Sequence, residues 1–353
     1  MDKNIDSTSE VIRKMRLPLI ILVTYAHSYG GITEGYSLTA SAWSTLEALK
    51  LLISQTLVKA AVPTFFVISG YLFFANVEAW SRQVYWQKIR RRMKTLLTPY
   101  LLWNLLMAIK LKSLSLNMFW AFWSEAGQQT DWLGQTHLMT APANMPLWFL
   151  RDLMVVSLLT PIIYFGVKKW GYWLMVPLTL LYLSGICPFA PGLSAYAVYF
   201  FTLGAFLRIR KMDVIETCLR FERPVYALTA GFALAMMLTY GHAVFSSLML
   251  FFRLVSVAAL FCLFSRFVGH SRKQVPTSKE EHQTSPAYFI YLAHFVFFLS
   301  FIDKAFFGLF GTSETARCIH YLLCPLLKAA ILATFYRIWC LAIGKMTKCI
   351  RQT

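Results

Sequence analysis

Acidic residues are scarce in this 353-residue chain: 16 Asp and Glu stand against 34 Lys and Arg, for a net charge of +18. Charge of either sign is scarce as well, at 14% where a soluble domain carries about 25%. The deficit is uneven, with short charged clusters separating long uncharged runs, which excludes an ordinary water-soluble domain. An excess of basic residues on a soluble chain would point to nucleic acid. Here they sit at the ends of apolar runs and read as topology signals, so no nucleic-acid partner is expected. The 7 Cys are scattered, with no Cys-x-x-Cys spacing and no Cys/His cluster, which argues against both a disulfide framework and a zinc site. Cys318 and Cys324 are the one pair that could share an oxidising side. No internal repeat, low-complexity tract or second soluble domain is visible, and residues 1–353 are expected to form one domain.

What is present is apolar. Hydrophobic residues make up 58% of the chain, and the mean hydropathy is positive. The runs predict an all-α polytopic membrane protein with about ten transmembrane helices, near 16–31, 52–75, 96–112, 147–166, 172–187, 195–209, 224–241, 246–267, 286–302 and 319–343. With the N-terminus in the cytoplasm, the inner segments outweigh the outer ends in Lys and Arg by roughly six to one. Lys110, Lys112, Lys304 and Arg317 fall outside. Both termini are therefore expected inside. The run after Arg13, Lys14 and Arg16 superficially resembles a secretory signal, but it contains a His and lacks a small-x-small cleavage site, so it is read as a retained span. Two connecting segments are distinctive: an inner basic and aromatic loop over 78–95, and a long outer loop over 113–146 rich in Trp and Gln.

Charged and imidazole groups inside apolar runs are candidates for chemistry. Arg16 and His27 are 11 residues apart, three helical turns, and share a face. At 1.5 Å per residue His27 lies about 16 Å deeper, so a phosphate-bearing donor held at Arg16 could reach towards it. A plain alternative makes Arg16 a topology anchor and His27 an interhelical hydrogen-bond partner. His294 is a second imidazole within an apolar run, in PAYFIYLAHFVFF. Ser69-Gly70, in PTFFVISGYLFF, is a close-packing seam or a functional site. The cluster Lys88, Arg90, Arg91, Arg92 and Lys94 is a positive-inside signal or a nucleotide-phosphate site, with Tyr85 and Trp86 able to stack on an adenine. Arg151 and Asp152 do not share a helical face and are expected to pair with other helices. Arg253, inside the eighth span, requires a partner or a cavity.

Five of these pieces occur in the order of a known family. They are Arg16 with His27, FFVISGYLF, a basic run into TPYLLW, PLWFL, and IYLAH. The chain resembles the membrane-bound acyltransferase 3 family, bacterial proteins that O-acylate surface sugars and other acceptors. The resemblance implies His27 as the essential acid/base and Arg16 as a donor-binding residue. The family has two Arg three apart at the end of the basic loop; that frame here runs from Arg92 to Thr95, so the second Arg is missing, and Arg91 and Lys94 have the spacing instead.

The expected reaction is transfer of a short acyl group, acetyl above all, from acyl-CoA to a hydroxyl of a surface polysaccharide or glycolipid precursor. Acyl-CoA is a co-substrate, with no tightly bound cofactor and no metal. In this expectation His27 removes the hydroxyl proton or carries the acyl group itself. His294, Ser69 or Arg253 donates to the developing oxyanion, and Arg151 is a supporting residue. The expected partners are the donor, a carbohydrate or glycolipid acceptor and the bilayer, and the expected location is the bacterial inner membrane. A transporter or flippase is the rival reading, against which stands the lack of matched, Gly/Pro-broken spans in two halves.

Overall fold

The structure, a computed structural model, describes residues 2–28, 44–110, 125–130, 136–140, 142–185, 192–270, 286–297 and 299–350. The described residues are overwhelmingly helical. Helix α1 (Asp2–His27) extends well upstream of the apolar run that predicted it. A continuous helical stretch, Thr45–Phe73, begins with α2 (Thr45–Lys50), passes through a widened turn and a tightened turn, and ends as α3 (Ala61–Phe73). The Ser44 hydroxyl caps its start by accepting from the Glu47 N–H at 3.2 Å. Next come α4 (Arg82–Arg92) and α5 (Thr98–Lys110), joined through another widened turn. A short antiparallel hairpin pairs β1 (Glu125–Thr130) with β2 (Thr136–Thr140). Helices α6 (Trp148–Leu158), α7 (Thr160–Trp170), α8 (Tyr172–Leu183), α9 (Ala195–Ile209), α10 (Val214–Arg220), α11 (Glu222–Leu238) and α12 (Ala243–His270) follow. The remainder is α13 (Pro286–Ala293), α14 (Ser300–Phe310) and α15 (Glu314–Ile350).

Among the described residues every apolar run expected from the sequence is largely helical, but the helices differ in length and two of the runs are broken. Three described stretches, Thr45–Phe73, Ala243–Val268 and Glu314–Ala342, are each long and apolar enough to cross a membrane. Helices α6 and α7 meet the test only as a pair, bent by 61° where Pro161 opens the second helix. Three expectations are corrected. The run 286–302 is not one helix: α13 stops at Ala293 and the chain re-enters helix at Ser300, after Leu299 takes a left-handed conformation (φ 40°). The basic segment is a helix rather than a loop, capped by Ser81. Part of the outer segment 113–146 is the β-hairpin, while 113–124 and 131–135 lie outside the described residues. The surface is inverted relative to a water-soluble protein: Trp173, Leu309, Ile162 and Leu341 are among the large apolar side chains left exposed.

One seam holds the centre. A Cβ on Gly70 of α3 would lie 2.0 Å from the Phe201 carbonyl oxygen, and one on Gly204 of α9 2.0 Å from the Val67 carbonyl oxygen. The two helices therefore meet backbone to backbone, with each glycine facing the other helix. Phe66, Phe200 and Phe201 fill the adjacent core without exposure. Helix α1 packs against α3, α12, α13 and α15, which places its one functional face among them.

Candidate active site

A cavity of about 280 Å³ lies along α1. Arg16, Ile20, Val23 and His27 form one wall, at the spacing of a single helical face. Val62 and Phe65 of α3, Trp148 and Phe149 of α6, and Tyr288 and Tyr291 of α13 supply the others. The lining is mostly apolar with a few polar groups, the pattern of a small-molecule site near the lower end of the usual size. Because α1 begins far upstream, Arg16 is mid-helix and half-buried, not at a helix mouth. It forms no ion pair with a described carboxylate, whereas Glu10 engages Arg13 and Lys14.

His27 closes the C-terminal end of this wall and also lines a second, narrow crevice of about 20 Å³ with Thr24, Ser28, His294, Phe297 and Lys328. That volume has room for about one water. The His27 and His294 rings stand 5.3 Å apart, tilted by 42°, with Phe295 5.6 Å from His27. His294 sits at the break after α13, where its Nδ1 lies 2.7 Å from the Tyr291 carbonyl oxygen and 3.2 Å from that of Ile290. A carbonyl oxygen only accepts, so Nδ1 carries the proton. The neutral ring then presents a lone pair at Nε2, which is buried without a hydrogen-bond partner. In that form His294 can accept a proton or hydrogen bond but cannot donate one at Nε2. The break is tied from the side by Lys110 of α5, whose Nζ donates to the Val296 carbonyl at 2.7 Å.

The other sequence candidates are placed as follows. Arg92 points inward to α3: Nη1 donates to Ser69 Oγ at 3.1 Å and Nη2 to the Ser69 carbonyl at 3.0 Å. Its guanidinium lies over Phe73 and Phe201, and burial pushes its pKa down to about 10. Ser69 lines neither cavity. Lys88 caps α3 by donating to the carbonyls of Phe73 and Ala75 at 2.6 and 3.1 Å. Burial, then the nearby charges of Arg92, Arg91 and Arg208, lower its pKa. Arg91 and Lys94 are exposed.

Asp152 reaches another helix, at the Ser194 cap of α9, but Arg151 and Asp152 also meet each other. They pair with each other at 2.9 Å, side chains only 8% and 4% exposed, and Ser194 Oγ donates to Asp152 Oδ2 at 3.3 Å. Rotation of a long Arg side chain lets neighbours in sequence meet despite pointing apart at Cβ. Cys318 and Cys324 are free thiols on one helix, α15. Arg253 lies 5.0 Å over the Tyr196 ring, with its Nε buried and lacking an acceptor.

Two features were passed over in the sequence. Lys59, in the middle of an apolar run, lies in the tightened turn Leu57–Ala60 of the stretch Thr45–Phe73. Its place within the run was the available signal. The second is a polar cluster beside the crevice, in which Asp303 accepts from Lys328 at 2.7 Å and pairs with His320 at 2.9 Å. Asp303, His320 and Cys324 set ligand atoms within 4.8 Å of one another, but a cation there would have to displace the Lys328 ammonium from the carboxylate.

Residues 14–343 match the family described as "Acyltransferase domain". A curated relative, the succinoglycan biosynthesis protein ExoH of Rhizobium meliloti (strain 1021), is 28% identical over 250 residues, which is 68% of this chain and 63% of the relative's length. The chain thus spans under two thirds of that protein. No solved structure matches. The match covers nearly the whole helical assembly, whose helices expose apolar surface, and the chain belongs to the acyltransferase 3 family.

Proposed function

We propose that the protein moves a short acyl group from acyl-CoA to a hydroxyl of a surface polysaccharide or its lipid-linked precursor. It does so as a multi-pass protein of the bacterial inner membrane, with about ten spans and both termini inside. The observation that carries this reading is the position of His27, which ends the cavity begun by Arg16 and also lines a crevice beyond it. The polysaccharide acceptor draws support from ExoH, whose name places it in succinoglycan biosynthesis.

The donor phosphates engage Arg16, which has no ion pair among the described residues and stands on a mostly apolar wall. The pantetheine arm runs along the face of Ile20 and Val23, and the thioester reaches His27 about 16 Å further on. The acceptor hydroxyl attacks the thioester carbonyl while His27 takes its proton, forming the ester C–O bond. The C–S bond then breaks, and the CoA thiolate recovers the proton from His27. The unpartnered His294 lone pair lies beside the His27 ring, with the two centroids 5.3 Å apart, and is available to accept from a His27 ring N–H as that ring turns during the reaction.

The test is free-CoA release in membranes supplied with acyl-CoA and acceptor, for wild type and correctly inserted His27→Ala. General-base loss lowers turnover by about 10²–10⁴-fold. Arg16→Gln raises the donor KM by about tenfold, the loss of one charge-assisted contact, with a smaller change in kcat. Turnover of His27→Ala within a few-fold of wild type would remove His27 from the reaction.

A further inference from the structure

The narrow crevice on the far side of His27 has a chemistry of its own. It measures about 20 Å³, room for about one water. Its walls are Thr24, His27 and Ser28 of α1, His294 at the break after α13, and Lys328 and Ala329 of α15. The two hydroxyls donate within α1, Thr24 Oγ1 to the Ile21 carbonyl and Ser28 Oγ to the Thr24 carbonyl, both at 2.7 Å. His294 keeps a buried Nε2 without a hydrogen-bond partner. Lys328 brings an ammonium that is anchored from behind. Both carboxylate oxygens of Asp303, on α14, accept from it at 2.7 and 2.8 Å. Asp303 is held in turn by His320 Nε2 at 2.9 Å, and His320 stacks on Phe307 with centroids 4.4 Å apart. The Lys328 and Asp303 side chains remain 17% and 27% exposed, so this side of the crevice is reachable from outside the protein.

A space of this size admits one small polar group and no ring. Imidazole lone pairs on one side and an ammonium donor on the other suit a group that both donates and accepts, which is a hydroxyl. A carboxylate would face the lone pairs, and an ammonium would face Lys328. We propose that the crevice is the subsite for the reacting hydroxyl of the acceptor, where Lys328 donates to the hydroxyl oxygen while His27 accepts its proton. Asp303 and His320 are positioning residues that hold the Lys328 ammonium. The donor then reaches His27 along the Arg16 cavity, the acceptor reaches it from the α15 side, and the two meet only at that ring. This rests on the reading of His27 as the general base.

The experiment uses the full chain in nanodiscs, with acetyl-CoA or succinyl-CoA as donor. The acceptor is unacylated surface polysaccharide from a strain lacking the protein. Removing Lys328 alone would strand the Asp303 carboxylate, so Lys328→Met is paired with Asp303→Asn, which leaves no unbalanced charge. In this double variant kcat/KM for the polysaccharide falls by about tenfold or more, the loss of one charge-assisted hydrogen bond, while the donor KM stays within about twofold. Ala329→Val narrows the crevice without touching any charge and gives the same split. His320→Gln, which still donates to Asp303, keeps acceptor use, and His320→Phe lowers it a few-fold at an unchanged donor KM. Wild-type acceptor kinetics in the double variant, or equal loss of donor and acceptor kinetics, overturns the subsite. If the double variant does not fold, wild-type acceptor kinetics in Ala329→Val overturns it instead. Transfer from neither donor by wild type removes the acyl-CoA reading and the subsite with it. Turnover of His27→Ala near wild type overturns His27 as base, and a dependence on Lys328 that persists in that background leaves the hydroxyl subsite standing.

Discussion

Replacement of Arg92 by Met separates a structural role from a donor-binding one. The side chain makes two charge-assisted hydrogen bonds to Ser69, at 3.0 and 3.1 Å, and its guanidinium is 5.0 Å from the Phe73 ring centroid. Hydrogen bonds to charged groups contribute about 1.5–3 kcal/mol each, and a cation–π contact about 0.5–2 kcal/mol. Against that sum stands the relief of a buried charge, and the Ser69 carbonyl keeps a helical partner, so a net loss of about 2–3 kcal/mol is expected. At roughly 2 °C per kcal/mol for a chain of this size, the midpoint of thermal unfolding falls by about 4–6 °C. Size-exclusion of heated, detergent-solubilised protein measures it, beside the donor KM. Arg91→Gln and Lys94→Gln touch exposed side chains and leave the midpoint within about 1 °C while raising the donor KM. An Arg92→Met protein with an unchanged midpoint and a donor KM raised tenfold would refute the assignment of Arg92 as a clamp on α3.

Arg151→Met leaves Asp152 charged and buried without its neighbour, at a cost of about 3–5 kcal/mol. The double variant with Asp152→Asn costs less than that single change, as a double-mutant cycle of thermal midpoints will read. Gly204→Val cannot be absorbed against the Val67 carbonyl and lowers the yield of folded protein, whereas Gly231→Val, which meets nothing within 4 Å, changes the same yield little. Lys110→Met removes the tie to Val296 and costs about 1–3 kcal/mol, measured by the same thermal assay.

The helical segments were legible because each is a contiguous apolar run, and the Arg16–His27 wall because both residues lie on one uninterrupted helix whose geometry fixes their relative direction. The close seam was legible as one of two readings of Ser69-Gly70, since only a small residue admits another backbone. The break after His294 was not, because the surrounding residues are as apolar as those of any span and nothing in AHFVFFLS marks the stop. The pairing of Arg151 with Asp152 escaped a rule built on Cβ direction, which a long flexible side chain evades. The inward turn of Arg92 is set by a carbonyl and a hydroxyl on a different helix, information that a local window does not contain.

The glycine seam between α3 and α9 has a consequence for motion. With no side chain between them, these helices cannot slide or rotate against each other without driving a carbonyl oxygen into a backbone atom. They act as one rigid spine that carries the Val62 and Phe65 side of the reaction chamber. Widening that chamber to admit or release a bulky substrate therefore falls to its opposite shell: α1, the short α13 and the bend between α6 and α7. The moving parts of the catalytic cycle are then that shell, and the spine is its fixed reference.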